Sequence, residues 1–304
     1  MCKVTGSERV MVFGAGGFLG GRICTLLAAR GIEHRGMTRS TGDPCRRFDL
    51  ATDHHYALDA QLGLYKPTVI INAAGVAHGD VRALTLGNVV AVDALLSSMR
   101  SHANNARFIQ IGSAAEYGEA QRGTSQDEQA ELRPSEAYGF TKLGGSELVL
   151  RSHRNGADAI VLRAFTISGP GSLESTLVGR VIRQLGTTDT LELGSLDGWR
   201  DYIDVRDVAE AVIAVATADE KLPPVFNVGS GRAAMARDVV NRLVELSGTR
   251  TKVVEGVVQA GHAGSRADAV PWQQADTTLI EKHLGWSSKI SLDQSLTDTW
   301  AARG

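Results

Sequence analysis

Tyr138 and Lys142 lie four residues apart in Tyr138-Gly-Phe-Thr-Lys142, inside a run from about Ser135 to Arg154 that reads as helix. Residues four apart on a helix share a face, so phenol and ammonium reach the same space. A free tyrosine titrates near about 10, too high for proton exchange at neutral pH. A lysine cation held close favours the phenolate and lowers that value. The same ammonium can hydrogen-bond a ribose. A pair with this spacing also occurs on ordinary helix surfaces, so its meaning depends on what the chain sets beside it. Ser113, closing the apolar run Phe108-Ile109-Gln110-Ile111, is the hydroxyl placed to join it.

The element that would hold a second reactant starts at Val10-Met11-Val12-Phe13, a short apolar run suited to a strand buried on both faces. It runs into Gly14-Ala15-Gly16-Gly17-Phe18-Leu19-Gly20, and a helical pattern follows to Arg30 with Ile23, Leu26 and Leu27 on one side. Strand, glycine turn and helix together make a dinucleotide-phosphate site. Gly14 permits the tight turn, Gly17 the approach of the pyrophosphate, and Gly20 the close packing of helix on strand. The helix start, with Gly16, Phe18 and Leu19, supplies donors and partial positive charge. In NAD-selective sites an acidic residue about 20 positions on holds the ribose. That place holds Thr38, followed by Arg39. A carboxylate would repel the extra phosphate of NADP, whereas arginine pairs with it. NADP(H) is therefore favoured, with NAD(H) the other possibility.

The remaining elements place these groups on one sheet edge. A second strand ends near Gly36-Met37-Thr38-Arg39, and Phe48-Asp49-Leu50 reads as the end of a third, where Asp49 could meet the adenine. Thr68 to Asn72 is a fourth strand, and Ala73-Ala74-Gly75 keeps its exit small enough for a cofactor to cross. Phe108 to Ile111 and Ile160 to Arg163 are the fifth and sixth, with a helix from about Asn88 to Arg100 between. Alternating strands and helices predict an α/β fold: a Rossmann, doubly wound parallel sheet with helices on both faces. Ligands bind at the carboxyl ends of such strands. After Arg163 the elements shorten. Residues 1–166 and 201–229 are expected to form the dinucleotide-binding domain, and 167–200 and 230–304 a smaller α+β substrate cap.

Composition narrows the class. The 304 residues are 43% hydrophobic and 22% charged with net charge −2, an ordinary globular balance that points to neither nucleic acid nor membrane. No stretch reads as approaching the roughly 20 apolar residues of a membrane span. Cys2, Cys24 and Cys45 make neither a disulfide framework nor a metal spacing, so no metal is expected and a cytoplasmic setting fits.

The ordered motifs resemble the extended short-chain dehydrogenases/reductases that act on nucleotide sugars, over nearly the whole length. They are Gly14-x-x-Gly17-x-x-Gly20, Asn72-Ala73-Ala74-Gly75, Asn88-Val89, Gly112-Ser113-Ala114-Ala115-Glu116-Tyr117-Gly118, Tyr138-x-x-x-Lys142 and Leu162-Arg163. There follow Gly169-Pro170-Gly171, Arg200-Asp201-Tyr202-Ile203-Asp204-Val205-x-Asp207, Phe226-Asn227-Val228-Gly229-Ser230-Gly231 and Leu284-Gly285-Trp286. The resemblance implies Ser113, Tyr138 and Lys142 as the catalytic set. It adds Asn88 and Leu50 to the cofactor site, and implies a nucleotide-sugar substrate held by Ser113, Ala114, Thr166, Arg200 and Arg266. It also implies a homodimer, with helices near 88–103 and 135–154 pairing through Val92, Leu95, Leu96, Leu148 and Leu150. Two departures stand out. Thr166 occupies the place of a family asparagine, and Arg266-Ala-Asp-Ala-Val-Pro271 replaces the usual Arg-Pro-Gly-Asp-Val-Pro.

Reductase, epimerase and 4,6-dehydratase share this frame. A dehydratase of the family carries an acidic pair where Ala114 and Ala115 stand, and alanine does neither job. An epimerase usually keeps NAD, with an acidic residue on the ribose. The serine loop and the Arg163-x-Phe165 context resemble reductases of nucleotide-linked 4-keto-6-deoxyhexoses, the favoured reading, with the epimerase as alternative. A non-catalytic NADP-sensing regulator usually loses the Tyr/Lys pair retained here.

Overall fold

The computed structural model describes residues 8–40, 46–50, 52–53, 55–256 and 271–303. In chain order the strands are β1 Arg9–Phe13, β2 Glu33–Met37, β3 Val69–Asn72, β4 Arg107–Ser113, β5 Ala159–Ala164, β6 Thr166–Ser168, β7 Thr190–Glu192, β8 Trp199–Asp204, β9 Val225–Val228, β10 Ala233–Met235 and β11 Lys252–Val254. The helices are α1 Phe18–Ala29, α2 His55–Tyr65, α3 Val81–Thr85, α4 Ala91–His102, α5 Ala137–Arg154, α6 Leu177–Gln184, α7 Val205–Ala216, α8 Ala236–Ser247, α9 Thr278–Leu284 and α10 Leu292–Ala301.

Six strands form one parallel sheet in the order β2-β1-β3-β4-β5-β9. Side chains alternate along each strand, so both faces must be covered. Val10, Val12, Ile71, Ile109, Ile160 and Leu162 pack with α1 and α7 residues such as Ile23, Leu27, Val208 and Val212. Met11, Phe13, Ile70, Phe108 and Val161 pack with Leu58 and Leu62 of α2, Val92, Leu95 and Leu96 of α4, and Val149 of α5. This is the expected doubly wound architecture.

The segment expected as a third strand is different. Thr38 and Arg47 share a single bridge, the Phe48 N–H donates to the Thr38 carbonyl at 3.0 Å, and the chain turns at once. The N–H groups of Thr52 and Asp53 both donate back to the Asp49 carbonyl, and the Asp49 N–H donates to the Asp53 carboxylate at 2.8 Å. A local turn satisfies this backbone more readily than an edge ladder, and β9 closes the sheet at the opposite edge.

A second region is built from β10-β8-β6, the parallel pair β7 and β11, and α6, α8 and α10, around Val181, Leu191, Leu193, Tyr202, Val240, Leu243 and Leu296. The chain does not cross between the regions at single residues. β8 hydrogen-bonds in the second sheet, yet its Ile203 packs in the main core. Ile280 and Trp286 also return to that core, the Trp286 indole N–H donating to the Asp207 carbonyl at 3.2 Å. One stretch departs from expectation. Val81–His102 is a continuous helical run, long and apolar enough to cross a membrane by length and composition alone. Its Leu84, Val92, Leu95, Leu96 and Met99 are buried in the protein.

Candidate active site

The turn after β1 is fixed by backbone geometry that only glycine allows. Gly14 has φ +81°, and a Cβ there would stand 2.7 Å from the Ala74 nitrogen. The N–H groups of Gly14 and Ala15 both donate to the Met37 carbonyl, binding the ends of β1 and β2 together. A Cβ on Gly20 would lie 2.1 Å from the Gly14 oxygen, so the helix approaches the turn only because that position is glycine. α1 has no side-chain cap at Gly17, which leaves its first N–H groups for an anion. A dinucleotide diphosphate fits this cradle. The Leu19 side chain is buried in the core, which leaves only its backbone for the cradle. The Phe18 ring reaches to within 3.7 Å of a Cβ position on Gly171, at the boundary with the second region.

Beside the cradle, the Thr38 hydroxyl lies 2.7 Å from where Gly16 would carry a Cβ. Arg39 follows and is exposed. The Thr38 N–H donates to the Arg46 carbonyl at 2.9 Å, and Arg47 bridges Thr38. The bend therefore gathers Arg39, Arg46 and Arg47 around Thr38, although the sequence reading singled out Arg39 alone. Arg47 stands 3.6 Å from Asp53, while the charge of Arg46 reaches the Cys24 thiol, which burial pushes up to about 11. Asp49 and Leu50 sit half-buried at the foot of the same bend. Leu50 packs against the core behind it.

The small residues Ala73, Ala74 and Gly75 follow the end of β3. Asn88, implied as a cofactor contact, has its side-chain amide engaged within the protein. Its carboxamide accepts from the Val76 N–H at 3.0 Å and donates to the Val76 carbonyl at 2.8 Å and the Thr141 hydroxyl at 3.1 Å. With both ends of the amide engaged, Asn88 shapes the loop and fastens it to α5. It sits in a π-helical turn, Leu86–Val90, between α3 and α4. Gly145 brings α5 onto that turn, for its Cβ would strike the Asn88 carbonyl at 2.2 Å.

Ser113, Tyr138 and Lys142 converge beside this loop. Ser113 ends β4 and caps a short turn with its hydroxyl, which accepts from the Ala115 N–H at 3.2 Å. The Tyr138 hydroxyl faces the Ser113 side chain. Lys142 Nζ donates to the Ile111 carbonyl at 2.6 Å and stands 4.0 Å from a Cβ position on Gly75. A Cβ on Gly139 would lie 2.6 Å from the Ala115 carbonyl, so α5 can press its first turn onto the serine loop. The electrostatics differ from the simple expectation. Burial pushes the Tyr138 hydroxyl up, with the Ser113 hydrogen bond working against it, and burial pushes Lys142 down. Desolvation is the largest cause of both shifts.

Ala114, implied as a substrate contact, turns inward: its methyl is buried with Tyr117, Phe165 and Ala275, and its carbonyl accepts from Gln273 Nε2 at 3.0 Å. Thr166 and Arg200 line a cleft of about 200 Å³ between β6, α6 and the Leu193–Gly198 segment. The cleft also holds two residues the sequence reading passed over, Arg180 on α6 and Ser168 on β6. The Ser168 hydroxyl is buried without a hydrogen-bond partner among the described residues. Nothing near Arg180 in sequence marks it, since only folding turns α6 onto β6. Arg200 donates to the Trp199 carbonyl at 2.9 Å. Arg266 lies outside the described residues.

A family model described as the NAD-dependent epimerase/dehydratase family matches residues 10–229. The chain is 33% identical, over 98% of its length and 96% of the relative's, to a dTDP-6-deoxy-L-talose 4-dehydrogenase (NAD(P)(+)) of Kitasatospora kifunensis. It is 25% identical to a GDP-6-deoxy-D-mannose reductase of Pseudomonas aeruginosa, covering 95% of each chain. Among solved structures, MoeE5 in complex with UDP-glucuronic acid and NAD superposes with TM-score 0.84 at 25% identity, covering 96% of this chain and 98% of that one.

Proposed function

The chain belongs to the NAD-dependent epimerase/dehydratase family, the extended short-chain dehydrogenase/reductase group, and is an NAD(P)-dependent enzyme of nucleotide sugars; from that premise we propose that it exchanges hydride at C4 of a nucleotide-linked 6-deoxyhexose, run as reduction of the 4-keto sugar with NADPH. The observation that carries this reading is the Ser113–Tyr138–Lys142 set with alanines at 114 and 115. One proton donor and one supporting hydroxyl suffice for a ketone. The serine loop offers no second acid–base pair for eliminating water, because Ala114 and Ala115 carry none and Glu116 is buried on Arg163.

The glycine turn and the open start of α1 would hold the diphosphate of the cofactor, with Thr38 and Arg39 at its adenosine ribose and Ala73 to Gly75 along its length. When bound, its reduced nicotinamide supplies the hydride. Tyr138, kept protonated by burial, passes its proton to the sugar carbonyl oxygen. The Ser113 hydroxyl donates to the same oxygen and stabilises the negative charge gathering there. Lys142 sets a cation below the phenol as that charge develops. Arg200, Arg180 and Thr166 would take the substrate's nucleoside diphosphate, and Ser168 would donate within the same cleft. Such an enzyme works where NADPH is kept reduced, the cytoplasm.

One relative is named as a 4-dehydrogenase of a nucleotide-linked 6-deoxyhexose, which supports C4 as the reacting carbon, and another as a reductase of such a sugar, which supports the direction. The test mixes the purified protein with NADPH and nucleotide 4-keto-6-deoxyhexoses and follows nicotinamide absorbance. Stoichiometric oxidation is expected. Interconversion of two nucleotide sugars without net loss of NADPH would replace this reading with an epimerase.

A further inference from the structure

Glu116 closes the turn after β4 and is fully buried. An isolated carboxylate there would be costly, so its partners carry its meaning. Oε1 accepts from the Ser113 N–H at 2.8 Å and from Ser146 Oγ at 2.9 Å, and Oε2 accepts from Arg163 Nε at 2.9 Å. These partners come from the end of β4, from α5 one turn beyond Lys142, and from β5. A Cβ on Gly112 would stand 2.8 Å from Oε1, so the glycine is what lets the carboxylate reach under the strand end. Arg163, also buried, donates from Nη1 to the Tyr117 hydroxyl at 3.1 Å and the Glu128 carbonyl at 3.4 Å.

We propose that Glu116 is the positioning residue of the reaction set: a buried carboxylate that ties the Ser113 backbone to α5 through Ser146 and to β5 through Arg163, and that sets its negative charge under Lys142 and Tyr138. It rests on the roles given to Ser113, Tyr138 and Lys142 in the proposed function. The charged and titratable groups facing Glu116 are Arg163 from β5, Tyr138 and Lys142 from α5, and Tyr117 on its own turn, with Glu128 beyond Tyr117. Its negative charge raises Lys142 against burial and raises Tyr138 along with burial. A side chain that merely filled space would do neither.

Glu116→Gln keeps the shape and an acceptor oxygen while removing the charge. In NMR of isotope-labelled tyrosine on the NADP-saturated protein, with Tyr138→Phe identifying the signal, Tyr138 should titrate about one pH unit lower in Glu116→Gln than in the parent. Ser146→Ala keeps the charge and removes one tie. Its kcat for NADPH-dependent reduction of a nucleotide 4-keto-6-deoxyhexose should fall about three- to tenfold, with KM and the Tyr138 titration unchanged. An unmoved Tyr138 titration in folded Glu116→Gln overturns the proposal. Should that variant fail to fold, parental kcat in Ser146→Ala overturns it instead. The titration needs no sugar, so failure to turn over any keto sugar would refute the reductase reading without touching the result for Glu116.

Discussion

At the scale of single residues, the decisive contrast is between groups that react and groups that hold them. Tyr138 has an ordinary helix position, but burial moves its hydroxyl toward the protonated form. The sign of the pH dependence follows. Reduction needs the protonated phenol, so its rate should stay flat through neutral pH and fall only as pH rises through the raised Tyr138 value. Oxidation of the alcohol needs the phenolate and should climb over the same range. Steady-state rates in both directions across pH test this, and an early alkaline fall in reduction would assign the proton elsewhere. Tyr138→Phe should leave NADPH binding intact and cut turnover about a hundred- to ten-thousand-fold. Arg39 is argued from charge alone. Arg39→Ala should weaken NADPH by about ten- to a hundredfold, the worth of a lost charge-assisted contact, and leave NADH nearly unchanged. Titration of nicotinamide fluorescence decides it, and equal affinity of the parent for both cofactors would remove Arg39 from the site.

Elements act here by how closely their backbones meet. α1 touches the turn after β1 at Gly20, and α5 touches the serine loop at Gly139 and the π turn at Gly145. None of these contacts is with a flexible side-chain end. Gly20→Ala would set a Cβ 2.1 Å from the Gly14 carbonyl, so the helix must back away and carry its N–H groups with it. NADPH binding should weaken by more than about tenfold, the scale of one charge-assisted hydrogen bond, with far-ultraviolet circular dichroism unchanged. Binding equal to the parent would mean that the helix start takes no part in holding the diphosphate. The periodicity that announced these helices says nothing of such contacts, because it records which face is apolar and not how near the next backbone comes.

For the whole molecule, three of the five apolar residues expected to pair two copies are wholly inside the fold. Val92, Leu95 and Leu96 are buried in their own core, and Leu148 and Leu150 pack against it. The exposed apolar groups on these helices are Val90, 45% exposed, and Phe140, 59% exposed. If the chain pairs through α4 and α5, these are the residues that meet. Phe140→Glu should then lower the mass seen by light scattering at micromolar concentration from dimer to monomer, with turnover per site retained on substrate. A parent protein already monomeric at that concentration ends the idea.

Much of this was legible in the chain alone. Val10 to Phe13, the glycines at 14, 17 and 20, and Tyr138 with Lys142 work through backbone freedom and short spacings, which are local properties. So the parallel sheet, the tight glycine turn and the shared face of the pair could be read directly. Tertiary structure decided the rest. It turned Phe48 to Leu50 from a strand into a bend, because a local turn satisfied that backbone first. It engaged the Asn88 amide on Val76, turned Ala114 inward, and brought Arg180 and Ser168 to the cleft beside Arg200. It also set Glu116 beneath the end of β4, on partners from β4, α5 and β5. Burial and contact between distant segments are sums over the folded chain, and they alone set whether a side chain reacts, positions or packs.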